Sequence, residues 1–182
     1  GQEWPEKALA FYQDFLRKSP KSNEVRLEYA KALTNLKKYN EAKKQFLKLV
    51  NSSLASSDIS LTVALLAVEL ADNILAEKYF LQSLKRGHSQ PAQIYIYLAG
   101  IYDDRGDFEE TATWLNKITN VNNEYYIDSR ILMSEYIAKY DSVDSAIEML
   151  NGLKAKRLSY NEKLIILRNK ASLLLKENRG QD

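Results

Sequence analysis

The densest run of chemically capable side chains is Asp103–Glu110, DDRGDFEE, in which five carboxylates surround one glycine. Three readings fit that composition: an Arg-Gly-Asp adhesion ligand, an oxygen-donor loop for calcium, or a tight turn with no ligand at all. An EF-hand calcium loop needs glycine at its sixth position. Counting from Asp103, that position holds Phe108. Acid–base work by a carboxylate pair fails on geometry, because neighbours such as Asp103 and Asp104, or Glu109 and Glu110, point about 100° apart on a helix and cannot share a proton. The turn reading survives. Gly106 can take the left-handed conformation that ends a helix, Asp107 can cap the helix that follows, and Arg105 and Asp107 are then turn residues, not a ligand.

Other chemistries find little support. The chain has one histidine, His88, in the loop LKRGHSQPAQ, and no cysteine. Thiolate catalysis, disulfides and cysteine-based metal sites are therefore excluded, and His88 lacks a serine–carboxylate arrangement for a triad. No GxGxxG, GxxxxGK[ST] or HExxH occurs, so nucleotide binding and zincin chemistry have no motif. No cofactor and no catalytic residue is expected. A net charge of +2, with basic runs no longer than KAKR at 154–157, gives no nucleic-acid footprint. The apolar run Ile59–Leu70 is too short to span a membrane and contains Glu69. Apolar residues at 45% and charged residues at 27% predict a folded globular chain.

The elements that must hold these residues show an internal period. Small residues recur at Ala8, Ala42, Ala76, Thr111 and Ala146, each followed four positions later by a large apolar residue: Tyr12, Phe46, Phe80, Leu115 and Leu150. Twelve residues before the last four small residues stand Ala30, Ala64, Ala99 and Ser134, and just before these lie Tyr29, Val63, Leu98 and Met133. Such a period is the mark of stacked helix pairs that cross closely at small residues and fill the adjoining groove with large ones. Start and stop signals agree. Asp107 with Glu110, and Ser159 with Glu162, have capping-box spacing; Ser89 and Pro91 suit a helix entry, and Pro20 closes the first helix. Tyr29, Tyr39, Tyr79, Tyr102 and Tyr136 fall at packing positions, whereas Tyr97 falls on the inner face.

On these residues the chain resembles the tetratricopeptide repeat (TPR), most clearly in LEYAKALTNLKKYNEAKKQF (27–46) and YLAGIYDDRGDFEETATWL (97–115). The resemblance implies an all-α, right-handed α-solenoid of about five helix–turn–helix repeats within one domain, residues 1–182. It comprises a half repeat at 3–22, repeats at 23–56, 57–90, 91–125 and 126–158, and a final helix at 159–179. Departures from the pattern are the tryptophan position, here Arg26, Ser60, Tyr95 and Arg130, and the turn ADNIL, which lacks a glycine. The overall run is most similar to multi-TPR proteins of proteobacterial envelopes, which favours periplasm or envelope over cytoplasm. The start at Gly1, almost directly in a helical pattern, has the look of a trimmed fragment.

In TPR proteins the first helix of each repeat lines a concave surface. The resemblance therefore implies a partner-binding groove formed by Leu27, Glu28, Lys31 and Asn35; Leu61, Thr62, Leu65 and Glu69; Ile96, Tyr97, Gly100 and Asp104; and Ile131, Leu132, Glu135 and Lys139. This lining is apolar with an acidic bias, while Lys43, Lys44, Lys48, Lys78 and Lys85 fall on second helices. It suits a protein or peptide segment with apolar anchors and some basic residues. The lysine/asparagine/arginine clamp of chaperone-binding TPR domains is not matched at these positions. Acidic Glu28, Glu69, Asp104 and Glu135 argue against a pentatricopeptide-type RNA reader. The expected function is a non-enzymatic protein-interaction module, the alternative being a scaffold or self-assembling subunit of a larger complex, with a homo-oligomer possible.

Overall fold

The computed structural model describes residues 3–153 and 158–179, so the basic run at 154–157 lies outside the described residues. Among the described residues every regular element is an α-helix: α1 (Glu3–Lys18), α2 (Asn23–Asn35), α3 (Tyr39–Leu49), α4 (Ser57–Glu69), α5 (Asn73–Lys85), α6 (Pro91–Asp104), α7 (Phe108–Asn116), α8 (Tyr126–Tyr140), α9 (Val143–Asn151) and α10 (Tyr160–Arg179). The chain divides into two compact units, Gly1–Pro91 and Ala92–Asp182.

In the first unit α2 packs on α3 and α4 on α5, with α1 against α2 and α3 against α4. The crossings sit at the small residues of the period: Ala30, Ala42, Ala64 and Ala76 are fully buried. Without a side chain beyond Cβ at the crossing, the backbones approach closely, and Leu33, Phe46, Val63 and Phe80 fill the flanks. Burying a side chain the size of Phe80 contributes about 2–3 kcal/mol. In the second unit α8 packs on α9 and α7, and α10 on both α8 and α9. Here Ala99, Thr111, Ser134 and Ala146 take the crossing positions, all buried.

Four turns are built alike. The N–H groups of Lys37 and Lys38 reach back to Thr34 and Leu33, those of Ala71 and Asp72 to Val68 and Ala67, those of Gly87 and His88 to Leu84 and Ser83, and those of Gly106 and Asp107 to Asp103 and Tyr102. This paired pattern is the Schellman motif, which satisfies helix-end carbonyls and needs a left-handed residue. Lys37 (φ 57°), Ala71 (φ 53°), Gly87 (φ 74°) and Gly106 (φ 72°) supply it. The ADNIL turn therefore has the same geometry as a glycine turn, with Ala71 forced into the glycine position. After two of these turns the next helix starts at a carboxylate cap, Asp72 Oδ1 accepting from Leu75 N and Asp107 Oδ1 from Glu110 N, and α9 starts at Ser142 Oγ, which accepts from Ser145 N. At the start of α10 the capping box is complete, with Ser159 Oγ accepting from Glu162 N and Glu162 Oε2 from Ser159 N. These bonds hold the Glu162 carboxyl below the usual range of a glutamate.

Polar joints stand at three of the four positions where a TPR tryptophan would be, and at the fourth the Tyr95 ring packs on Trp114, with centroids 5.7 Å apart. Arg26 is buried and donates to the Pro20 carbonyl and, at 2.8 Å, to Gln45 Oε1. Ser60 is also buried, and Arg86, just past the end of α5, donates to Ser60 Oγ (2.8 Å), Ser56 O (3.3 Å) and Val50 O (2.7 Å). Arg130 donates to Leu115 O at 2.7 Å. In each joint a guanidinium donates to a carbonyl at or just beyond the end of an earlier helix, where the regular intrahelical bonds run out.

Candidate functional site

Each unit carries a concavity on its first helices. In the first unit it lies between α2 and α4, with a volume of about 430 Å³. Leu27, Lys31, Thr34 and Asn35 come from α2, Phe46 from α3, and Asp58, Ile59 and Thr62 from α4, with Leu54 and Ser56 from the connecting loop. The polar walls are tethered locally. Lys31 Nζ meets Glu28 Oε1 at 2.9 Å, Thr62 Oγ1 donates to the Asp58 carbonyl at 2.9 Å, and Ser56 Oγ caps α4 through Ile59 N at 3.1 Å. His88 packs beside this wall, with its Nε2 3.4 Å from Asp58 Oδ1 and its Nδ1 accepting from Gln90 N at 3.2 Å. The histidine is thus engaged in holding its own loop to the start of α4.

The larger concavity, about 710 Å³, belongs to the second unit and is framed by α6, α8 and α10. Its floor is Ala99, Thr111, Leu115, Leu132 and Leu173; its walls carry Asp103, Glu135, Asp141 and Glu177 against Lys139 and Lys176. The carboxylates outnumber the ammonium groups. Buried Ser134 Oγ donates to buried Asn169 Oδ1 (2.8 Å), and Asn169 Nδ2 to Oε1 of exposed Glu135 (3.3 Å), which ties α10 to α8. At the rim Lys139 lies 3.9 Å from Asp103 Oδ1, with its ammonium 4.8 Å from the Tyr140 ring centre and 5.8 Å from that of Phe108. Its hydrogen bond to Tyr140, helped by the Asp103 charge, holds its pKa above the usual lysine range. Phe108, Tyr136 and Tyr140 form one aromatic cluster beside it.

Of the groove positions that the resemblance implies, Leu27, Lys31, Asn35 and Thr62 line the first concavity, and Gly100, Leu132, Glu135 and Lys139 the second. The remaining eight line neither. Leu61, Leu65, Ile96, Tyr97 and Ile131 are half-buried, and Glu28, Glu69 and Asp104 are exposed. Asp103, the neighbour of Asp104, faces the second cavity instead. Residues the period did not supply are those of α10, Leu173, Lys176 and Glu177, together with Asp141 at the end of α8. The signal for α10 was present: one more interval of 35 residues from Ser134 reaches Asn169, the residue that Ser134 contacts.

No protein-family profile matches the chain, and no curated protein matches it. Solved structures do. The crystal structure of MamA protein aligns with a TM-score of 0.69 at 15% identity, over 94% of this chain and 87% of that one. The crystal structure of YrrB, described as a TPR protein with an unusual peptide-binding site, aligns with a TM-score of 0.70 at 17% identity, over 96% and 84%. PilF of Pseudomonas aeruginosa aligns with a TM-score of 0.59 at 18% identity, over 88% and 71%. Helix pairs at a period of 34–35 among the described residues, and the same architecture in these structures, show that the chain has the all-α tetratricopeptide-repeat fold.

Proposed function

We propose that the chain is a non-enzymatic protein-interaction module that captures a segment of another protein, chiefly in the concavity of its second unit. The observation that carries this reading is the composition of that cavity. An apolar floor of Leu115, Leu132 and Leu173 lies beneath Asp103, Glu135, Asp141 and Glu177, with only Lys139 and Lys176 of opposite sign. Its volume, about 710 Å³, accommodates one or two side chains with their backbone. The fitting ligand is a segment that sets an apolar anchor on the floor and a lysine or arginine against the carboxylates. YrrB, a TPR protein of the same fold, is described as having a peptide-binding site, which supports peptide capture as the use of such a surface. Transient capture of this kind has micromolar affinity, about −8 kcal/mol.

The test is selection from a displayed peptide library, followed by fluorescence anisotropy of the enriched sequences against the wild type and Glu135→Lys. Enriched peptides should pair an apolar residue with a basic one, and Glu135→Lys should weaken them at least tenfold while leaving the helical circular dichroism unchanged. Enrichment of acidic sequences, or equal affinity for the variant, would refute the reading. The second reading, a self-assembling subunit, is favoured by a different observation on α10.

A further inference from the structure

Helix α10 has two apolar faces. One carries Ile166, Asn169 and Leu173 and is buried against α8 and α9. The other faces solvent with side chains that normally seek burial: Tyr160 is 79% exposed, Leu167 62%, Leu174 46% and Leu175 59%. The second face has a strict spacing. Tyr160, Leu164, Leu167, Ala171 and Leu174 alternate steps of four and three residues, which places them in a stripe along one side of the helix. That is the heptad pattern of a two-helix seam, with leucine or tyrosine at one core position and leucine or alanine at the other. A helix needing only its own fold would end this stripe in polar residues.

We propose that α10 pairs with α10 of a second copy of this chain, the two helices running antiparallel about a two-fold axis. Self-complementarity argues for a second copy, because the stripe supplies both halves of every layer. In the antiparallel register Leu164 meets Leu174 of the second copy, and Leu167 meets the small Ala171 of the second copy; each layer occurs twice. Charge selects the direction. Lys163 and Glu177 flank the stripe on the same side, fourteen residues apart. Antiparallel pairing sets Lys163 beside Glu177 of the second copy at both ends of the seam, whereas parallel pairing sets Lys163 beside Arg168 of the second copy, a like-charge contact. Lys170, near the two-fold axis, is turned away: its Nζ is held by Asn151 Oδ1 at 2.6 Å. Arg168 faces Arg168 of the second copy across the axis, one like-charge contact at the rim against two ion pairs, whereas parallel pairing makes the Lys163–Arg168 contact twice and gains no ion pair.

Sedimentation equilibrium of the 182-residue chain tests this. The mass should rise with concentration and level at twice the monomer value. Leu167→Glu combined with Leu174→Glu should remain monomeric with unchanged helical circular dichroism. Lys163→Glu should weaken association roughly tenfold, since two ion pairs become two repulsions at once, and adding Glu177→Lys should restore it to within about threefold of the wild type. The proposal is overturned by a monomer at every concentration, by a mass that climbs past the dimer, by an association that survives the Leu167 and Leu174 substitutions, or by a charge swap that fails to restore it.

Discussion

Arg86 makes three hydrogen bonds with one planar group, to Val50 O, Ser56 O and Ser60 Oγ. Truncation to alanine removes the side-chain donor of a buried residue's carbonyl, at Val50, and opens a gap beside fully buried Ser60. An unsatisfied buried acceptor costs about 1–3 kcal/mol, so Arg86→Ala should destabilise the chain by roughly 2–3 kcal/mol in urea unfolding. Arg86→Lys should recover less than half of this, because a lysine ammonium cannot reproduce the fixed fork of a guanidinium. At this scale the sequence was legible where a residue type acts through size. The small residues Ala30, Ala64 and Ala99 are buried at crossings, as their period implied. It was not legible where a distant residue replaces a missing one. Arg86 lies 26 residues beyond Ser60, and only the packed helices bring its guanidinium onto the Ser60 hydroxyl. Asp103 and Asp104 show the same limit: one step along α6 decides which faces the cavity, and a repeat template places that step only to within a residue.

The helices themselves follow from signals that are local, and for that reason most of them could be read. Asp107 and Ser159 cap as their spacing implied, and α6 begins at Pro91. The left-handed turn residues were only half legible. Gly106 announces its conformation, but Lys37 and Ala71 adopt it against their own preference, because the two back-reaching hydrogen bonds at each helix end fix the backbone there. For L-residues that conformation costs about 1–2 kcal/mol. Ala71→Gly should therefore stabilise the chain by about 0.5–1 kcal/mol once the larger entropy of unfolded glycine is subtracted. The reverse exchange, Gly106→Ala, should destabilise it by about 1 kcal/mol, since a Cβ there meets no serious clash, only Phe108 Cζ at 3.6 Å, and the backbone strain remains. Thermal unfolding of the two variants in parallel checks both signs.

For the molecule as a whole, charge is distributed in a way the net value conceals. The chain carries +2 overall, yet the larger cavity is lined by more carboxylates than ammonium groups. Attraction of a basic segment is then a local effect, acting over distances comparable to the screening length of about 8–10 Å at physiological salt. Raising the salt from about 0.05 to 0.5 M should weaken capture of a selected basic peptide several-fold without abolishing it, because the apolar floor is insensitive to screening. Isothermal titration at the two salt concentrations measures this, and salt-independent binding would show that the carboxylates take no part. The fold class was legible at this scale because stacked hairpins repeat a pattern that even a single sequence displays. Of the sixteen expected groove positions, half line a concavity, those on α2 and α4 in the first unit and those on α6 and α8 in the second; the lining from α10 was not legible, because its side-chain direction depends on the Ser134–Asn169–Glu135 link.

The arginine joints carry one more consequence. What each guanidinium grips at Pro20, Val50 and Leu115 is a backbone oxygen, and every amino acid presents the same oxygen. That backbone bond is therefore indifferent to the identity of the accepting residue, whereas the side-chain bonds of Arg26 to Gln45 and of Arg86 to Ser60 are not. A chain jointed in this way can drift in sequence at the accepting side of each backbone bond without losing the bond.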